Sequence, residues 1–356
     1  MPPAARDDAD AYDPNPLTHS GERLPRSDDL HRTIRAAPVT GPRGTADGEI
    51  AVTVVVPAYR ADRTLRGTVA ALLAQDTARA YEVVVVASAD PGGAVPDLPG
   101  DPRLRVVART PRLAAASARN LGAGLARGAA LAFTDADVAV PPDWLDRLAA
   151  AAEGREAVVA GSVRNGTPAS AAGTAEYLVQ FLDLAPERPP ASADHGATCN
   201  LYVPRSLWAR YGPFPEDMGG GEDTLLTGAA HRDGVFVFAP DAPVTHLNRT
   251  RLGDVLAHQW AFGRFTARLA RRDPDLRYGW LQRSVPLAPV AVAGRLVSIA
   301  QRSAWLPGPR RRWLRVAPVV VAAVAAWGAG LAAEGLALAL RRRSGPGAGA
   351  AVRGRG

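Results

Sequence analysis

The spacing of hydrophobic positions along the 356-residue chain changes at residue 50. Residues 1–48 are rich in Pro, Asp, Arg and Gly and hold few large apolar side chains. Such a composition cannot bury enough surface to order itself, so a disordered leader is expected. From residue 50, "IAVTVVVP" is a short β-branched run of the kind buried on both faces of a sheet. "DRTLRGTVAALLAQD" then puts Leu65, Val69 and Leu72 on one helical face, with Asp62 available as its cap. "EVVVVA" (82–87) and "LRVVA" (104–108) read as strands, "LAAASARNLGAGLARG" as a helix stopped by Gly128, and "ALAFTD" (130–135) as a further strand. Strands alternating with helices predict an α/β domain with a parallel sheet. Ligands of such sheets bind beyond the carboxyl ends of the strands.

The pattern turns apolar twice near the C-terminus. "SVPLAPVAVAGRLVSIA" (284–300) is short and carries Arg295; "VAPVVVAAVAAWGAGLAAEGLALAL" (316–340) has Glu334 as its only charge. The second run is long enough to span a bilayer, although its many alanines make the span marginal. A buried hairpin of the soluble domain is the alternative. Orientation is awkward, because arginines cluster between the runs (302, 310, 311, 312, 315) and after them (341, 342, 343, 353, 355). With a cytoplasmic catalytic domain, one span strands the tail outside and two strand the linker. Both arrangements break the tendency of arginine to stay inside. Membrane attachment through anionic lipid headgroups is therefore expected, with spanning left open.

A formal charge of +7 would suggest nucleic acid as a partner, but all 42 basic residues are arginine and they are spread along the chain. A basic stripe with interleaved aromatics is missing, so no nucleic-acid partner is expected. The lone cysteine, Cys199, rules out an internal disulfide framework and fits a reducing compartment. No apolar signal peptide opens the chain. The glycosylation patterns at Asn165 and Asn248 are accordingly read as chance.

Candidate chemistry starts at "LAFTDADVAV" (131–140), an apolar run ending in two aspartates one residue apart. In extended backbone, residues i and i+2 face the same side, so Asp135 and Asp137 can share one cation past the small Ala136. Hard oxygen ligands suit Mn²⁺ or Mg²⁺. A helix cap for "PPDWLDRL", with Asp143 competing for that role, is the plainer reading. A dehalogenase-like phosphatase would need its aspartates near the start of the fold and a downstream lysine. A P-loop would need Gly-Lys-Ser/Thr. The chain has no lysine.

Four more stretches keep company with the aspartates: "VVVPAYR" (54–60), "AAASARNLGAGLARG" with Arg119-Asn120-x-Gly122, "GPFPEDMGGGEDTLL" with Glu222-Asp223, and "APVTHLNRT" with His246. In this order and spacing, residues 50–272 resemble the family 2 glycosyltransferases of GT-A fold. The resemblance implies an α/β, Rossmann-like, mixed but mostly parallel sheet with membrane-associated C-terminal helices. It divides the chain into a leader (1–48), a catalytic domain (49–275), apolar helices (276–343) and a disordered tail (344–356).

By resemblance, Pro57, Ala58, Tyr59, Arg60, Arg119, Asp135 and Ala136 would contact a nucleotide-diphospho-sugar. Asp135, Asp137 and His246 would hold Mn²⁺ or Mg²⁺, and Asp223 would be the base, with Glu222 competing. Tyr59 would pack on the nucleobase or else belong to the core. Arg119 would pair with phosphate or with Asp135, and Gly219, Gly220 and Gly221 would let backbone approach the sugar. His246 is equally readable as a structural histidine. The expected outcome is inverting transfer of one sugar to a lipid-linked or cell-envelope acceptor at the cytoplasmic membrane face. Two departures stand out. Ala87 replaces the aspartate that reads the base, leaving Ser88 or Asp90 as substitutes. "QWAFGRF" offers Gln259 but has Phe262 and Gly263 where processive members carry Arg-Trp. The alternative function, suggested by Ala87, is a transferase-like protein that binds a glycan or partner without turnover.

Overall fold

A computed structural model describes residues 39–40, 49–90, 93, 97–303, 306 and 310–343. Most of the expected leader and all of the expected tail lie outside the described residues. The first strand is a two-residue bridge, Val39–Thr40 (β1). Next come β2 (Val52–Tyr59), α1 (Leu65–Leu73), β3 (Tyr81–Ser88), β4 (Leu104–Arg109), α2 (Ala115–Leu125) and β5 (Ala130–Thr134). A short β6 (Val138–Ala139), α3 (Trp144–Ala152), β7 (Val158–Asn165), α4 (Ala171–Gln180), β8 (Asn200–Pro204), α5 (Arg205–Tyr211), α6 (Glu222–Arg232) and β9 (Phe236–His246) follow. Four helices end the described chain: α7 (Leu252–Arg272), α8 (Gly279–Arg283), α9 (Ala288–Ser303) and α10 (Arg310–Arg343).

All nine strands join one sheet in the order β1-β4-β3-β2-β5-β8-β7-β9-β6. Strands β2, β3, β4, β5, β7 and β9 run one way, and β1, β6 and β8 run against them. The apolar runs behave as a two-sided buried sheet requires: Val54, Val55, Val56, Val83, Val84, Val85 and Val86 are fully buried. Leu65, Val69 and Leu72 of α1 are buried as well, but its cap residue is Thr64, not the expected Asp62. Helix α2 sits so close to β2 that a Cβ on Gly122 would lie 2.4 Å from Val55 Cγ1. This contact fixes the depth of Arg119, one turn earlier on the same helix.

The C-terminal helices are not a separate appendage. Val316, Val320, Ala323, Val324, Trp327 and Leu331 of α10 are buried in the same hydrophobic cluster as the core strands. Helices α7 and α10 cross almost backbone to backbone, each contributing a glycine. A Cβ on Gly263 would meet the Trp327 carbonyl oxygen at 1.9 Å, and one on Gly330 would meet that of Trp260 at 2.0 Å. Gly263, which marks the departure from the processive pattern, is thus the seat of α10. Both charges of the apolar runs face the protein. Glu334 accepts from Arg264 Nε at 2.9 Å and Arg268 Nε at 2.8 Å, both on α7. Arg295 donates to the Val179 carbonyl at 2.7 Å and lies over the Trp327 ring, 4.5 Å from its centroid.

Candidate active site

The two aspartates follow β5 directly, at the carboxyl end of a central strand. The backbone there is not extended: Ala136 and Asp137 form a turn. Thr68 Oγ1 pins that turn by donating to the carbonyls of Ala136 (3.0 Å) and Val138 (2.8 Å). The turn feeds β6, whose Val138 pairs with His246 at the end of β9. Pairing across these short strands is what brings His246 to the aspartates. One ligand atom from each of Asp135, Asp137 and His246 lies within 4.8 Å of the others. Asp143, at the N-terminus of α3, occupies the cap position, so the aspartates are not a helix cap.

His246 is held for this purpose from behind. Its Nδ1 lies 3.2 Å from Asn248 Oδ1, and Asn248 Nδ2 donates to Asn165 Oδ1 at 3.0 Å. With the amide so oriented, Asn248 Oδ1 can accept from Nδ1, and Nε2 faces Asp137 Oδ1 at 3.6 Å. Two carboxylates and an imidazole nitrogen so placed form a donor set that suits Mn²⁺ or Mg²⁺. The two asparagines of the glycosylation patterns are therefore joined to each other behind the site.

Arg119 organises the other side. It is buried, with Nη2 2.6 Å from Asp135 Oδ1 and Nη1 2.8 Å from Glu222 Oε1. Burial pushes Glu222 up to about 6, against the pull of Arg119 and with added repulsion from Asp223. Asp223 is less buried; its Oδ1 accepts from Thr224 N at 2.8 Å and its Oδ2 from Thr198 N at 3.3 Å. Asn120 anchors the preceding loop by donating to the Phe214 carbonyl (2.8 Å) and Glu216 Oε1 (2.7 Å). The glycine bend has a packing cause. Gly219 and Gly221 are left-handed (φ 77° and 81°), and a Cβ on Gly220 would lie 2.4 Å from the Phe265 ring of α7.

Pro57, Ala58, Tyr59, Arg60, Arg119, Asp135, Ala136, Asp137, Glu222, Asp223 and His246 all line one cleft of about 880 Å³. A smaller cavity of about 160 Å³ opens beside it between the ends of β2 and β3, bounded by Tyr59, Arg60, Ala87, Ser88 and Asp90. Tyr59 donates its hydroxyl to Asp90 at 2.9 Å, and Arg60 donates to the same oxygen at 2.9 Å. The Tyr59 hydrogen bond holds the Asp90 carboxyl below its ordinary range despite some burial, with Arg60 adding to the effect. Arg112 lies over the Tyr59 ring, 4.4 Å from its centroid.

The far end of the cleft was not foreseen. Gln180, Arg249, Thr250, His258 and Phe262 line it. Beneath them the fully buried Glu176 accepts from Arg249 Nη1 at 2.8 Å and lies 2.6 Å from His258 Nδ1.

Residues 53–202, from β2 to β8, match the family described as Glycosyl transferase family 2. That segment carries the family's pattern, and it covers less than half of the chain. The chain is a glycosyltransferase. Glycosyltransferase AglE of Haloferax volcanii is 26% identical over 219 residues, 60% of this chain and 72% of that one. Succinoglycan biosynthesis protein ExoO of Rhizobium meliloti is 39% identical over 111 residues, 31% of this transferase and 32% of that protein. Among solved structures, the mannosyltransferase PcManGT of Pyrobaculum calidifontis, in complex with GDP-Man and Mn²⁺, has a TM-score of 0.49 at 20% identity, covering 84% of this chain and 94% of its own. TarS 1-349 of S. aureus has a TM-score of 0.48 at 15% identity, covering 82% and 91%.

Proposed function

We propose that this transferase moves a single sugar from a nucleotide-diphospho-sugar to a lipid-linked or cell-envelope acceptor, with inversion, at the cytoplasmic face of the membrane. The observation that carries the reading is the convergence of Asp135, Asp137 and His246 in the cleft that also holds Asp223. A divalent cation bound by those three would act as a Lewis acid for the departing diphosphate. The protein's own groups do the rest. Asp223, open to the cleft, takes the proton from the acceptor hydroxyl as it attacks. Its two amide donors hold the carboxylate in one orientation before the substrate arrives. Glu222 is spent on Arg119, which in turn keeps one oxygen of Asp135 fixed, so Glu222 is a positioning residue.

The small cavity beside Tyr59 is assigned to the nucleobase. Asp90, locked by Tyr59 and Arg60, supplies there the carboxylate that Ala87 lacks. This weakens the reading of the chain as an inactive binder, whose one hint was Ala87. The glycine at position 263, occupied with seating α10, fits transfer of one sugar rather than chain growth. The test is a panel of nucleotide-sugars incubated with the full chain and Mn²⁺ or Mg²⁺. Slow metal-dependent release of nucleoside diphosphate from one donor is expected, and transfer onto a lipid-phosphate acceptor should give the product of opposite anomeric configuration. Donor turnover that is unaltered by chelation would overturn the metal reading, and a product of retained configuration would overturn the role of Asp223.

A further inference from the structure

Every large hydrophobic side chain that is exposed among the described residues lies at or beyond Leu247. The two apolar helices carry much of that surface, and they carry it in order. The outward stripe of α9 between residues 289 and 300 holds only Pro, Val, Ala and Gly, with Val290 and Val297 both 55% exposed. The outward stripe of α10 between residues 316 and 340 holds only Ala, Pro, Val and Leu, with Val321 at 52% and Leu336 at 53%. An outward helix face in water is ordinarily polar. Here the polarity is reversed: the only charges within residues 289–300 and 316–340, Arg295 and Glu334, are turned inward, and the exposed Arg315 and Arg341 stand at the ends of the second stretch.

The opposite faces are committed to the catalytic domain. Helix α10 is pinned along α7 by the two glycine crossings, by Glu334 on Arg264 and Arg268, and by Arg271 on the Gly335 carbonyl. Helix α7 in turn lines the aqueous cleft with Asp254, His258, Phe262 and Phe265. Crossing the membrane would draw these α7 arginines and the cleft wall into hydrocarbon. By length and composition Leu314–Arg341 could cross a bilayer, but 44% of its most apolar window is already buried against the protein. The arginine clusters at its two ends, which conflict in any spanning arrangement, fall on one side of the bilayer if the helix lies flat.

We propose that the outward faces of α9 and α10 lie in the plane of one leaflet of an anionic bilayer, flanked by headgroup-bound arginines, and that neither helix crosses it. The proposal rests on the reading of the chain as a membrane-attached transferase, and metal-dependent donor hydrolysis, measured on the same samples, reports the catalytic reading separately.

The test uses the full chain on vesicles of phosphatidylcholine with and without phosphatidylglycerol. Flotation should need phosphatidylglycerol. The pairs Val290→Glu with Val297→Glu, and Val321→Glu with Leu336→Glu, should each lower vesicle partitioning by ~10-fold or more. Far-ultraviolet circular dichroism and donor hydrolysis should be unchanged, since these side chains face away from the fold. Spin labels at cysteines replacing Leu314, Ala325 and Leu336 should report equal, shallow depths. Greatest depth at residue 325 would show a span and overturn the proposal. So would flotation that ignores the glutamate pairs, or sedimentation of the vesicle-free protein as a dimer that the glutamate pairs dissociate, which would assign the face to a second copy.

Discussion

Glu222 Oε1 and Arg119 Nη1 lie 2.8 Å apart although both residues are almost fully buried, and the same arginine reaches Asp135 at 2.6 Å. A buried guanidinium bridging two carboxylates is costly to break, because removing one partner strands the other charges. The proposed division of roles follows: the pair as scaffold of the site, and Asp223, one residue on, as the base. Asp223→Asn should lower kcat by ~10²-fold or more with donor affinity nearly unchanged. Glu222→Gln should cost less in kcat and more in stability. Steady-state kinetics and urea denaturation of both variants decide it; the larger loss of kcat in Glu222→Gln would reverse the two roles.

The titration of Glu222 gives a pH dependence with a definite sign. Its folded-state value of about 6 stands above the ordinary 4.5, so the folded protein holds this proton more tightly than the unfolded chain. The resulting stabilisation is fully present below pH 4.5 and is lost as pH rises through about 6. A difference of that size is worth about 2 kcal/mol. Glu222→Gln lacks the proton equilibrium. The unfolding free energy of wild type, taken relative to the variant, should therefore fall by about 2 kcal/mol between pH 4.5 and pH 7. A difference that stays flat would mean that Glu222 titrates like an exposed carboxyl.

Metal affinity offers a graded series. Asp137→Asn removes a proposed ligand, and Asn248→Ala removes only the group that orients His246. Asn248→Ala should lose ~10–100-fold in Mn²⁺ affinity, and Asp137→Asn should lose more. Isothermal titration with Mn²⁺, alone and with a nucleoside diphosphate, measures both. Equal affinities in all three proteins would remove the cation from this site.

The donor-site motifs precede residue 250, yet α7, which lines the cleft, is packed against α10. Deletion of residues 284–356 should uncover Phe262 and the α7 seat of Trp327 and leave Arg264 and Arg268 without Glu334, giving an aggregating protein. Glu334→Ala in the full chain should cost about 2–3 kcal/mol, less than a fully buried pair because both arginines keep some water. A soluble, monomeric truncation that still binds donor would contradict this packing.

Much of the fold was readable because buried parallel strands are continuous apolar runs and little else in a chain looks like them. Asp135 and Asp137 were readable for a related reason: acidic residues at the end of such a run have nowhere cheap to go. Their convergence was anticipated from the wrong geometry, since a turn pinned by Thr68, rather than extended backbone, brings them together. The Glu176, Arg249 and His258 cluster left no local trace, because its members come from α4, the loop after β9 and α7, far apart in the chain. The glycines at 219 and 220, which line the cleft, were noticed, but not for their packing. The partner that actually forbids a side chain there, Phe265, lies some forty-five residues downstream, where no spacing rule reaches.

Helix α7 touches two very different neighbours within three residues. Phe265 presses into the glycine bend that precedes Glu222 and Asp223, and Gly263 receives the backbone of α10. Neither contact has slack: the ring leaves no room for a methyl group on one side, and the carbonyl of Trp327 leaves none on the other. A shift of α10 against α7 must therefore be taken up by tilting α7, and a tilt of α7 moves Phe265 against the bend. The apolar exterior and the glycine bend share a single wall, so whatever holds the outside of α10 also sets the width of the cleft.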